Sequence, residues 1–327
     1  MIRHVLMIGL LFFAAMRGYA QDDITFTPLA TPAQSQFGAL TYQWGYTLES
    51  SNPNFGGFSS LAYMAQTEQG GEKKQHLVTV TDAGFITTLT FNDQTVSATA
   101  LATNLEKLFT DLDDDGDKLT ADAEAIMVFQ NSIYVALEQD HRVLKLNTNN
   151  AHETLPMPSN INLLPHNGGI EGMTTLNDTM FFILAELPAK NTNQQIAWVA
   201  TKHDNGLIYE ARTLLPPKGF YPSDATTLAN GDVLVLLRAF SFFGGFQSKI
   251  WRISQDTIMS GKPITGEIIA SFKNDTAFGN LEGIANITMP NGDVALYVIS
   301  DNNFNRFQKT YFVKFLYSPK QIKTPQD

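Results

Sequence analysis

Three observations predict an all-β fold, a β-propeller of five four-stranded blades. An acidic residue among small and apolar neighbours recurs at Ala123-Glu124-Ala125-Ile126, Ile170-Glu171-Gly172-Met173, Ser223-Asp224-Ala225-Thr226 and Leu281-Glu282-Gly283-Ile284. The acids lie 47, 53 and 58 residues apart, near the length of one blade. After each comes a turn and a β-rich run, at 133–137, 180–184, 233–237 and 294–298. Helical periodicity is confined to 101–109, where Leu101, Leu105 and Leu108 suit a short helix.

In chain order, Arg3 and His4 precede an apolar stretch at 5–16, and Gly18-Tyr19-Ala20 places small residues where cleavage occurs. Residues 1–20 therefore read as a signal peptide, and 21–327 as a single exported domain, periplasmic or secreted. Residues 24–29 read as a strand. The stretch 31–54 is less regular and rich in Gln, Ser and Asn. The first blade opens at 56–63, with Ser59 and Ser60 where later blades have an acid. It continues at 76–81, turns at Asp82-Ala83-Gly84 and runs on at 85–91. Later blades open near Ala123, Ile170, Pro222 and Asn280. Asn230-Gly231-Asp232 and Pro290-Asn291-Gly292-Asp293 are hairpin turns, because Asn and Gly tolerate positive φ. Asn131-Ser132 and Asn177-Asp178 hold the equivalent place in the other two repeats. The last repeat is short by one strand. The strand at 24–29 is expected to supply it, closing the ring and leaving no open sheet edge. Six blades result if 37–48 belongs to another sheet. A β-sandwich does not account for similar phrases at similar spacing.

The chain has 327 residues, a net charge of −10 and no cysteine. The charge disfavours nucleic acid and anionic lipid as partners and suits a cation, or an anion bridged by one. Without cysteine there is no disulfide, lipoprotein anchor or thiol nucleophile. No later apolar run spans a bilayer. The sequence has no Gly-x-Ser-x-Gly elbow, no His-Glu-x-x-His and no phosphate-binding loop, so a serine-triad hydrolase has no support.

Residues 111–122 carry a calcium-loop pattern. Asp111, Asp113 and Asp115 alternate so that their carboxylates can face one centre, and Gly116 allows the sharp turn. Asp117 adds a backbone or side-chain oxygen. Asp122 stands twelfth, where an EF-hand has Glu, and no helix follows. A helix-free calcium loop of Asp111, Asp113, Asp115, Asp117 and Asp122, extended by Glu124, is the expected metal site. Packing so many carboxylates together without a cation is electrostatically costly. The bland alternative is a solvated acidic turn.

In a propeller the first strand of each blade lines the central channel. Glu124, Glu171, Asp224 and Glu282 are then expected to face one another at one mouth. Such a ring either shares protons and collects cations, or each acid accepts backbone N–H bonds from a neighbouring blade and sets blade spacing. Glu138, Glu186, Arg238 and Asp301 end second strands and are placed to join them. His141, Arg142, His166 and Lys309 are further polar groups within reach. The many Phe residues, including Phe240, Phe242, Phe243 and Phe246, are expected to pack between blades.

Four segments resemble the phytase-like domain family of exported bacterial proteins, also called the esterase-like activity of phytase family. They are Asp122-Ala-Glu-Ala-Ile126 with Glu138-Gln-Asp-His-Arg142, Asn167-Gly-Gly-Ile-Glu-Gly172, Pro222-Ser-Asp-Ala-Thr226 with Leu237-Arg-Ala-Phe-Ser241 and Gly244-Gly-Phe246, and Asn280-Leu-Glu-Gly-Ile284 with Ser300-Asp-Asn-Asn-Phe-Asn305. The resemblance runs from about Gly56 to Phe315. It implies a β-propeller and calcium-assisted hydrolysis of a phosphoester or another ester. Ser59-Ser60 departs from the Ser-Gly common in that family, and the supply of Lys and Arg is modest for a highly phosphorylated substrate. On this reading Glu171 or Glu282 activates water, Asp224 completes the acid set, and Arg238, Arg142 or Lys309 steadies developing charge. The alternatives are a non-catalytic module that binds protein or glycan with structural calcium, and a lactonase-like metal hydrolase.

Overall fold

The computed structural model describes residues 24–65, 74–92, 105–108, 122–139, 141–147, 152–190, 192, 194–242, 244–273, 278, 280–305 and 307–319. The signal peptide expected at 1–20, and Asp111, Asp113, Asp115 and Asp117, lie outside these residues. Among the described residues no helix is long and apolar enough to cross a membrane.

The chain begins with β1 (Ile24–Pro28), β2 (Gln36–Phe37) and β3 (Leu40–Ser50). Blade 1 is β4 (Phe58–Tyr63), β5 (Gln75–Thr81), β6 (Phe85–Phe91) and β7 (Glu106–Lys107). Blade 2 is β8 (Ala123–Phe129), β9 (Ser132–Leu137), β10 (Arg142–Leu146) and β11 (His152–Thr154). Blade 3 is β12 (Ile170–Thr175), β13 (Met180–Ala185), β14 (Gln195–His203) and β15 (Gly206–Leu214). Blade 4 is β16 (Tyr221–Thr227), β17 (Val233–Ser241), β18 (Gly245–Ile253) and β19 (Glu267–Phe272). Blade 5 takes β20 (Asn280–Thr288), β21 (Val294–Asp301) and β22 (Thr310–Tyr317) from the C-terminal end and β3 from the N-terminal end. Neighbouring strands within each blade are antiparallel, and the inner strands open where the repeated phrase places them. The fold is a five-bladed β-propeller, so the six-blade alternative falls away.

The ring closes as expected by an N-terminal strand, but by a different segment. It is β3 that pairs with β22, from Thr310↔Leu48 to Tyr317↔Leu40, while β1 adds a fifth strand outside β3. The reason is apolar content. Leu40, Tyr42 and Leu48 are buried on β3, against Ile24 and Phe26 on the shorter β1. Of the helix expected at 101–109, only residues 105–108 are described, and they are not helical. Glu106 and Lys107 form β7 and pair with Phe85 and Ile86 as the last strand of blade 1. A sheet edge left bare there exposes ladder groups, and two residues of strand partly cover it.

The core is five wedges, one between each neighbouring pair of blades. In the wedge between blades 4 and 5, Phe37, Phe272, Phe278 and Phe315 pack with ring centroids 5.3 to 5.8 Å apart. Burying one such ring contributes about 2 kcal/mol. Phe37 thereby pins the N-terminal segment, helped by the Ala39 N–H donating to the Ile269 carbonyl at 2.7 Å. A chain begun at Gly56 loses this anchor and bares the edge of β22. Its expected melting temperature is lower by ten degrees or more, since about 5 kcal/mol of burial is lost, and it associates on a sizing column. An unchanged melt and a monomeric elution refute closure by β3.

Candidate functional site

Each inner strand carries the same irregularity. Register jumps by one residue between Phe58 and Ser60, Ala123 and Ala125, Ile170 and Gly172, Pro222 and Asp224, and Leu281 and Gly283. The extra residue of each β-bulge is Ser59, Glu124, Glu171, Ser223 or Glu282. A bulge re-aims its side chain and bends the strand, here at the mouth where the inner strands begin. Three of the four repeated acids therefore share one layer. Asp224 stands one position further along, level with Ser60, Ala125, Gly172 and Gly283.

That next layer is the hub, and its side chains are small because five strands converge there. A β-carbon on Gly283 would come within 3.0 Å of both the Ser60 backbone and the Leu61 β-carbon. One carboxylate fills the centre. Asp224, wholly buried, reaches from blade 4 across the axis to blade 1, which is not its neighbour in the ring. Its Oδ1 accepts from the Ser60 hydroxyl at 2.9 Å and its own following Ala225 N–H at 2.8 Å. Its Oδ2 accepts from the N–H groups of Leu61 at 3.0 Å and Ile284 at 2.8 Å. Ser60 Oγ in turn accepts the Ile126 N–H of blade 2 at 3.0 Å. Burial pushes the Asp224 carboxyl up, and the backbone donors at both oxygens oppose it. Three of the four donors are backbone N–H groups, which cannot turn to accept a proton, and they favour the carboxylate. Asp224 thus stands apart from the mouth acids, as a bolt joining blades 1, 2, 4 and 5. Beyond it the far ends of the inner strands line a cavity of about 800 Å³ with side chains such as Thr174, Thr226 and Asn286, and with Asp178 as its one charged lining residue among those described.

At the mouth, a second layer comes from the second strands level with the start of the inner ones, one residue per blade: Asp82, Glu138 and Glu186 just past their strands, Asp301 at the end of its strand, and Arg238 within β17 opposite Tyr221. Arg238 of blade 4 lies between blades 3 and 5. Its Nη1 pairs with Glu282 Oε1 and its Nη2 with Glu186 Oε1 at 3.0 Å. Glu282 above all, and then Glu171 and Glu186, hold the guanidinium firmly charged. Burial pushes the Glu282 carboxyl up to about 7, against the pull of Arg238. The Asn280 amide lies beside Glu282 and also opposes the rise. Glu171 is 5 % exposed. Burial first, then Glu124 and Glu186, push it well above the usual carboxylate range.

The side of the mouth between blades 2 and 3 is crowded with carboxylates, and His141 lies beside them, where a β-carbon on Gly169 would meet its Nδ1 at 2.9 Å. Carboxylate oxygens of Asp122, Glu124 and Glu138 lie within 4.8 Å of one another, as do those of Glu138, Glu171 and Glu186. Glu138 belongs to both trios and accepts the Gly168 N–H. Gly169 is required beside it, since a β-carbon there would meet the Glu138 carbonyl oxygen at 3.0 Å. Burial raises Glu138, with that N–H opposing. Glu124 is pushed well up by burial and then by Asp122 and Glu138. Hard oxygen donors at this spacing suit a divalent cation such as calcium. Of the expected metal ligands, Asp122 and Glu124 are thus brought together, and Glu138 and Glu186 join them. The signal for those two was their common place at the end of a second strand.

Two outcomes follow. Asp224→Ala leaves three backbone N–H groups and a hydroxyl buried without an acceptor, at roughly 4 kcal/mol or more in urea unfolding. Asp224→Asn turns an NH2 toward two donors and is expected to lose nearly as much; a fully stable Asn variant refutes the ionised bolt. For the mouth acids the proton is held more tightly folded than unfolded. Glu282 moves from an ordinary 4.5 to about 7, so its contribution is present below pH 4.5 and is lost as pH rises through 7. With chelator present, the melting temperature is expected to be higher at pH 5 than at pH 8. A flat profile refutes the buried, mutually repelling acids.

A search of the curated proteins returns no match. Among solved structures the chain is similar to glutaminyl cyclase from Myxococcus xanthus, at 11% identity over 85% of this chain and 96% of that one, TM-score 0.44. It is similar to an inactive H270A virginiamycin B lyase from Staphylococcus aureus with quinupristin, at 12% identity over 89% and 99%, TM-score 0.42. It is also similar to a hypothetical protein from Leishmania major, at 10% identity over 83% and 88%, TM-score 0.42. These likenesses carry nothing about this chain's chemistry. The family model for phytase-like proteins, described as esterase-like activity of phytase, matches residues 53–304, most of the chain, and the chain belongs to that family.

Proposed function

We propose that the acidic mouth is a hydrolytic site for esters or phosphoesters, assisted by a divalent cation, calcium by preference, in an exported protein. One observation carries the reading. A buried carboxyl poised near 7, Glu282, touches an arginine anchored at both ends, beside two trios of carboxylate oxygens that open on the same mouth. The family supports it without naming a substrate.

Asp122, Glu124, Glu138, Glu171 and Glu186 would hold the cation, with Asp111, Asp113, Asp115 and Asp117 as further ligands from their own loop. When bound, a cation there polarises the scissile group and neutralises the acids that would repel it. The residues do the rest. Ionised Glu282 takes a proton from water as the water oxygen bonds to the ester carbon or phosphorus. The bond to the departing alcohol oxygen breaks, and the proton passes to that oxygen. Arg238 keeps Glu282 oriented through Nη1 and offers its remaining N–H to the oxygen that gains charge. Glu171, deep between the two halves of the mouth, orients the water. Asp224 acts at a distance, by keeping the bulge layer in place.

A second reading rests on Arg238, whose two terminal nitrogens already meet carboxylates. In that reading the mouth is a cation-stiffened binding surface for protein or glycan, with no turnover. Assay of purified protein separates them: an aryl ester, an aryl phosphate and a lactone, each with calcium and with chelator. Hydrolysis that needs calcium is expected, falling about 100-fold or more in Glu282→Gln and Glu171→Gln with no fall in melting temperature. Calcium-dependent melting without turnover of any of the three supports the second reading. Turnover indifferent to both substitutions refutes the assignment of these acids.

A further inference from the structure

Four phenylalanines stand in solvent, and all lie on two neighbouring loops beside the mouth. They are Phe240 and Phe242 at the β17–β18 turn, 65% and 88% exposed, and Phe304 and Phe307 between β21 and β22, 38% and 81% exposed. No other described phenylalanine is exposed. This corrects the expectation that Phe240 and Phe242 pack between blades; Phe243 lies outside the described residues. Exposing large aromatic rings is unfavourable, and their concentration on one rim marks a binding surface.

The rings continue the candidate site. Phe240 follows Arg238 by two residues on β17, so both stand on one face of the strand, about 7 Å apart. It packs on Phe246 across the hairpin with centroids 4.9 Å apart. Phe304 lies over Gly57, where a β-carbon would meet its Cε2 at 2.5 Å and Asp82 Oδ1 at 2.3 Å. The loops are braced. The Gly244 N–H donates to Ser241 Oγ at 3.0 Å, the Phe307 N–H to Asn305 Oδ1 at 3.0 Å, and Asn303 Nδ2 to Gln308 Oε1 at 2.9 Å. The mouth is therefore divided, with carboxylate trios between blades 2 and 3 and aromatic rings on blades 4 and 5, where Arg238 projects. Even with a cation in the trios, no cluster of exposed Lys and Arg among the described residues stands ready for a polyanion, whereas the second half offers apolar area.

We infer that these two loops form the subsite for an apolar acyl or aryl group, so that the substrate of the mouth is a neutral, partly apolar ester and not a polyphosphate. This rests on the hydrolytic reading above. The test pairs Phe242→Ala/Phe307→Ala with wild type, using 4-nitrophenyl acetate, butyrate and octanoate, and binding of N-phenyloctanamide by titration calorimetry as a readout free of turnover. Wild type is expected to favour the longer chain. The double variant is expected to raise KM for octanoate and weaken amide binding about tenfold, with kcat, acetate hydrolysis and melting temperature unchanged. Amide binding that the variant loses, in a protein inert to every ester, keeps the subsite and removes the hydrolytic reading. Equal amide binding by wild type and variant overturns the proposal. So does faster turnover of inositol hexakisphosphate than of octanoate. Loss of binding to phosphatidylcholine vesicles in the variant, with amide binding and KM unchanged, also overturns it and makes the loops a lipid-docking face.

Discussion

One carboxylate reaching across an axis holds this molecule to its geometry. Five twisted sheets cannot all bring large side chains to a common line, so the hub layer is reduced to Ser60, Ala125, Gly172, Gly283 and a single Asp224. The inner strands start and bulge there, which leaves N–H groups of Leu61, Ile126 and Ile284 pointing inward without ladder partners. Buried donors need acceptors. Asp224, directly and through the Ser60 hydroxyl, satisfies them from one atom group and closes the channel in doing so.

The two ends of the molecule differ as a result. On one side lie hydroxyls and amides with the carboxylate of Asp178. On the other, the bulges turn side chains from the inner strands toward the mouth, and the second strands add one residue each. The bulge places are serine in blades 1 and 4 and glutamate in blades 2, 3 and 5. Arg238 comes from blade 4, where the bulge brings no charge, and reaches the glutamates on either side. Charge is partly offset there, and the two carboxylate trios crowd together between blades 2 and 3. The asymmetry of the mouth follows from which residue occupies an otherwise repeated position.

Much of the fold was legible in the sequence because propeller repeats are local. A phrase, a turn and a β-rich run return at each blade, and the inner strands begin where those phrases do. The closing strand was harder. Leu40, Tyr42, Trp44, Tyr46 and Leu48 alternate, but Gln, Ser and Asn around them obscured the pattern. Strand β7 was harder still, since two residues of strand set no period against three well-spaced leucines. At the site, Glu124, Glu171 and Glu282 were readable as a converging set, and Arg238 and Glu138 by their common place just beyond an apolar β-rich run.

By itself, then, the chain determined that sheets of similar length would stack around a centre and that acids would meet there, because spacing and alternation are properties of consecutive residues. Register was left to the tertiary structure. A bulge is a mismatch between two strands, invisible in either alone, and it is the bulge that separates Asp224 from the acids it resembles in sequence. One residue of slip decided that three carboxyls face the mouth and the fourth is consumed in holding the blades together.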